Sequence, residues 1–121
     1  MSEERAIYRV DRAAPDSLEA FKSRPCALPF HDPGYTAPKP SEIDALIQLA
    51  GWSQVETAKI AGVNFKAGKG STTVRKWRTP VDSSEHRGIP YAAWRIMLAA
   101  AGVVTIDPAD YTRDQLMRVA E

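Results

Sequence analysis

Lys66, Lys69, Arg75, Lys76 and Arg78 fall within thirteen residues that contain no acidic side chain, and the hydroxyls of Ser71, Thr72 and Thr73 lie among them. Lysine and arginine neutralise phosphates, arginine also pairs in bidentate fashion with a guanine edge, and serine and threonine contact several bases. The mixture therefore has the chemistry of a surface that binds a nucleic acid. The charge is local: the whole chain carries net +1, whereas residues 64–88 hold six basic groups against two acidic ones, net +4. Residues 41–63 are net −2 and residues 89–121 net −1. A polyanion would meet one cationic segment rather than a cationic protein.

Other chemistries fit the sequence less well. A phosphate loop requires glycine five positions before its Gly-Lys pair and a hydroxyl after it, where this chain has Val63 and Gly70. The dinucleotide pattern also fails, because Gly68-x-Gly70 is followed by Thr73 where the third glycine belongs. His31-Asp32 and Glu85-His86 contain the elements of an acid/base pair, but each is a pair of neighbours in a loop. Cys26 is the single cysteine and there are two histidines, too few for a structural zinc set or an internal disulfide. Cys26 reads as a small, semi-buried and inert side chain. The expectation is a protein that is not an enzyme and uses no cofactor and no metal.

The cationic segment must be held by helices. Ser41 with Asp44 suggests a capping box, and Ile43, Leu46, Ile47 and Ala50 recur with helical spacing until Gly51. Ser53 with Glu56 caps a second helix, whose apolar face is read as Val55, Ala58 and Ala61 and whose stop is Gly62. After a loop rich in glycine and lysine, Ser71 or Thr72 caps a third helix with Val74 and Trp77 inward and Pro80 beyond its end. Pro90 to Gly102 reads as a fourth helix, apolar on most of its circumference and central to the core. Trp77, Tyr91 and Trp94 are assigned to that core rather than to base stacking. Asp107-Pro108 opens a fifth, short helix bearing Tyr111, Leu116, Met117 and Val119.

Two short helices joined by a turn, the second opening on hydroxyls and bearing cations opposite its apolar residues, suit a helix-turn-helix reader. Over residues 42–78 the sequence resembles the lambda-repressor and Cro-like helix-turn-helix regulators, through Ser53-Gln54, Ala58, Gly62-Val63 and Thr73-Val74-Arg75-Lys76-Trp77. The resemblance implies that Gln54 contacts phosphate and bonds to the scaffold. It also implies that Ala58 lets helices cross closely, and that Val74 and Trp77 pack inward. Ile89 to Trp94 is similar to a segment in small regulators of phages and mobile elements. One departure stands out: the turn before the third helix is about six residues longer than the family's, and the added Phe65 to Gly70 is itself basic.

Six of the nine prolines fall between residues 15 and 40, which excludes long helices there. A short helix is expected near Asp16 to Lys22, an extended arm over Arg5 to Val10, and over residues 25–40 either a stiff linker or a wrapping arm whose Phe30 and Tyr35 pack on the domain. No run approaches the roughly 20 apolar residues of a membrane span, and the first twenty residues lack a signal-like apolar stretch, so the expected location is cytoplasmic. The sequence thus predicts an all-α domain of four to five helices over residues 41–106, with a proline-rich arm at 1–40 and a terminal helix at 107–121. Its expected partner is double-stranded DNA, bound by a homodimer and by no membrane. Gln54, Lys66 and Lys69 are assigned to phosphates, and Thr72, Thr73, Arg75 and Lys76 to bases, with Ser71 and Arg78 also in the interface. The resemblance implies transcriptional regulation, more often repression than activation. The alternative is a protein-interaction module or inhibitor that offers the same basic face to an acidic protein partner.

Overall fold

The computed structural model describes residues 14–112. The arm expected over Arg5 to Val10 lies outside the described residues, as do Leu116, Met117 and Val119. The elements are α1 (Leu18–Phe21), a 3-10 turn (Pro25–Ala27), α2 (Pro40–Ala50), α3 (Gln54–Ala61), α4 (Thr72–Trp77) and α5 (Tyr91–Ala100). Residues 109–112 are helical as well. The fold is all-α: among the described residues, extended pairing is confined to one bridge between Lys66 and Gly70.

Local chemistry explains most boundaries. Ser17 Oγ accepts from Ala20 N–H at 3.1 Å, which starts α1. At α3, Ser53 Oγ accepts from Glu56 N–H while the Glu56 carboxylate accepts from Ser53 N–H, a reciprocal capping box. Gly51 and Gly62 end α2 and α3 in the left-handed region. The start of α2 corrects the expected Ser41/Asp44 box. Pro40, with its φ fixed and no N–H to satisfy, begins the helix two residues earlier, with Lys39 as the cap, and Glu42 accepts from Lys39 N–H at 2.8 Å. Asp44 is thereby left free to bind elsewhere. The buried face of α3 also differs from expectation: it centres on Thr57 and Ala58, with Val55 only partly covered. Thr57 tolerates burial because its hydroxyl donates to Ser53 C=O at 2.8 Å.

Trp94, Met97 and Leu98 of α5 are fully buried with Leu46, Ile43, Ala58, Val74 and Trp77 around them. The helix α3 packs on both α5 and α4, and α1 packs on α2. The proline-rich stretch belongs to this core as well. Phe21 is fully buried with its ring 6.2 Å from that of Trp94, and Cys26 and Ala27 are buried beside it.

Tyr91, expected in the core, lies half-buried at its edge on the first turn of α5, where its hydroxyl accepts from Phe30 N–H. Arg95 is the reverse case, a cation on the buried side of a helix expected to be apolar there, while Ile96 faces out. Unpaired carbonyls of the 3-10 turn account for it. Trp94 Nε1 donates to Cys26 C=O at 2.9 Å, and the Arg95 guanidinium donates to Ala27 C=O at 2.6 Å. A buried carbonyl left without a donor costs about 1 to 3 kcal/mol, so these bonds fasten the N-terminal stretch to α5.

Candidate functional site

The long connection from α3 to α4 is a closed miniature hairpin. Lys66 N–H donates to Gly70 C=O at 2.7 Å, and Gly70 N–H and Lys69 N–H both donate to Lys66 C=O. Gly68 takes φ 75°, as the third residue of such a turn requires. At the base of the hairpin Ser71 Oγ donates to Asn64 C=O at 2.6 Å, which joins the residues on either side of it. The same hydroxyl accepts from Val74 N–H and caps α4. Gln54, first residue of α3, accepts from Ser71 N–H at 2.6 Å through Oε1. The six added residues are thus looped out without separating the two helices.

This scaffold opens a groove of about 660 Å³ between the start of α3, the hairpin and the first turn of α4. Seven of the nine residues expected to bind converge on it: Gln54, Lys66, Lys69, Ser71, Thr72, Thr73 and Arg75. Lys66 and Lys69 form no ion pair among the described residues, and the hydroxyls of Thr72 and Thr73 form no hydrogen bond there. Val74 and Trp77 turn inward, as their spacing predicts, and leave Arg75 outward.

Two members of the expected set have other work. Ser71 is buried, and its proton is committed to Asn64. Arg78, expected to be an exposed donor, is only partly exposed and grips Asp44 of α2 through both Nε and Nη2. The reason is the corrected start of α2, which frees the Asp44 carboxylate for this bond. Arg78, Asp44, Gln54, Arg75, Thr79 and Pro80 line a second concavity of about 390 Å³, so Gln54 and Arg75 border both hollows.

Lys76 lines neither of them. It approaches Glu85, whose carboxylate lies 4.0 Å from Lys76 Nζ and 3.7 Å from Arg75 Nη2. Glu85 comes from the loop after α4, which folds back as Arg87 N–H donates to Lys76 C=O. In the same loop His86 Nδ1 bonds the Thr79 carbonyl at 2.8 Å. The Glu85 contact is not legible in the sequence, since Glu85 and its cations are ten and nine positions apart and lie on different elements. Phe65 also lines the groove, and an aromatic residue in a polar loop is the sequence signal that marks it. Burial pushes the thiol of Cys26 up to about 12, with Glu42 adding to the effect, so it remains protonated at neutral pH.

The chain belongs to a family of transcriptional repressors. The relative that establishes this is the transcriptional repressor protein KorC of Escherichia coli, 36% identical over 72 residues, which span 60% of this chain and 75% of that protein. No family model and no solved structure matches the sequence. Among the described residues no helix is long and apolar enough to cross a membrane.

Proposed function

We propose that the chain represses transcription by binding double-stranded DNA at specific sequences. In this reading α3 and α4 act as a helix-turn-helix whose turn carries the hairpin, and the first turn of α4 enters the major groove. The observation that carries it is the groove itself, where uncompensated Lys66 and Lys69, outward Arg75 and unbonded Thr72 and Thr73 converge in a chain of a repressor family. Lys66 and Lys69 neutralise phosphates and make binding salt-dependent. Arg75 pairs with a guanine edge while Thr72 and Thr73 contact neighbouring bases. Gln54 holds the start of α4 through Oε1 and offers its amide nitrogen to a phosphate. Lys76 supplies a further cation at the rim.

A single helix of this length reads about half a turn of groove, so useful affinity calls for a homodimer on a two-fold related site. Selecting fragments from a random duplex library tests the reading: a preferred, two-fold symmetric sequence supports it, and recovery of random sequence overturns it. Arg75→Ala is expected to lose about 1 to 3 kcal/mol on the selected duplex and to relax preference at one position. Equal weakening on every sequence would instead make Arg75 a phosphate contact.

A further inference from the structure

Phe65 is the large apolar side chain in an otherwise polar and cationic groove. It is 41% exposed, it does not join the core, and it lines the same surface as Thr72, Thr73 and Arg75. Its position is fixed on both sides. Asn64 before it receives the Ser71 hydroxyl, and Lys66 after it is closed onto Gly70 by two backbone hydrogen bonds. The ammonium of Lys59 lies 5.5 Å from the centre of the ring, a contact that braces it from α3. A partly hydrated aromatic ring on a pinned backbone, beside hydroxyls placed to read bases, gains from an apolar partner. The major groove offers one such group on its base edges, the 5-methyl of thymine.

We infer that Phe65 is a specificity-determining residue that packs on a thymine methyl group next to the bases read from α4. This rests on the proposed DNA-binding function and extends it: the hairpin reads sequence, and its lysines hold it against the backbone. The test uses the duplex that the wild-type protein selects from a random library, with each thymine replaced in turn by deoxyuridine, which removes the methyl group alone.

The expected result is a loss of about fourfold in wild-type affinity at one thymine per half-site, the size expected for one buried methyl group. Phe65→Ala should bind the thymine and deoxyuridine duplexes equally, while keeping its preference at the position lost in Arg75→Ala. Phe65→Leu should retain part of the discrimination. Thermal melting checks that both variants are folded, as expected for an exposed site.

If the protein selects a duplex but no deoxyuridine substitution shows a loss that depends on Phe65, the inference fails while the DNA-binding reading stands. Equal weakening of all duplexes by Phe65→Ala also overturns it, and makes the ring a sugar contact or a wedge between bases. If no duplex is selected, the DNA-binding reading fails and the inference with it.

Discussion

With φ at 115°, Gly70 occupies backbone space that side-chain-bearing residues rarely adopt, and a Cβ there would lie 2.2 Å from Gln54 Oε1. That oxygen accepts from Ser71 N–H, so the space a methyl group would need already holds the hinge between α3 and α4. Gly70→Ala is expected to cost about 1 to 3 kcal/mol in urea denaturation, the range for a strained backbone position, and to weaken DNA binding further by tilting α4. Gln54→Ala leaves Ser71 N–H without that acceptor and should cost a similar amount.

Cys26 makes stability depend on pH in the alkaline range. Its folded thiol titrates near 12 against an ordinary 9.0, so the folded state keeps a proton that the unfolded chain gives up in between. The stabilisation from this site is whole below pH 9 and is lost as pH rises toward 12. Stability should therefore fall across that window by up to about 1.4 kcal/mol per pH unit. Cys26→Ala should flatten the fall in part, since Tyr35 and Tyr91 are also raised by burial and add to it. An identical profile in the variant would contradict the burial of the thiol.

At the scale of elements, α4 is a six-residue helix held at both ends by groups from outside it, the side chains of Gln54 and Asp44 and the backbone carbonyl of Asn64. A helix so short has little stability of its own, so Gln54 and Asn64 at one end and Asp44 at the other must fix its position. Arg78→Ala should therefore lower stability by about 1 kcal/mol while leaving sequence preference intact, in contrast to Arg75→Ala. The loop after α4 brings one carboxylate to the cationic face. Glu85→Gln should strengthen binding to all duplexes by a few tenths to about 1 kcal/mol, because it removes a negative charge beside Arg75 and Lys76. Lys69→Ala should flatten the salt dependence by about one unit of slope, and an unchanged slope would remove the hairpin from the backbone contact.

The helices themselves were legible because their signals are local. Ser17, Ser53 and Ser71 cap, Gly51 and Gly62 stop, and the inward spacing of Val74 and Trp77 sets the outward face of α4. What could not be read depends on pairs distant in sequence. Arg78 finds Asp44 thirty-four positions away, Arg95 finds the carbonyl of Ala27 sixty-eight away, and only the fold brings them together. The long turn was visible, but its closure was not, since it depends on the Ser71 hydroxyl reaching Asn64.

Across the whole molecule, charge and packing meet on α4. The core is built from α2, α3, α5, the inward Val74 and Trp77 of α4 and the stretch around Phe21 and Cys26, while the hairpin, the outward side of α4 and the loop after it carry the net +4 segment. Trp94 joins the two sides of the core, packing on Phe21 and donating to the carbonyl of Cys26. Trp94→Phe keeps an aromatic ring but leaves that carbonyl without its donor, and is expected to cost about 1 to 3 kcal/mol in thermal or urea unfolding.

On the proposed function, the surface around Thr72, Thr73 and Arg75 discriminates among DNA sequences. Competition at physiological salt between the selected duplex and random duplex measures it most directly. A preference of about a thousandfold or more for the selected duplex, reduced in Arg75→Ala, is the predicted result. Equal retention of the two duplexes by the wild-type protein would contradict the account.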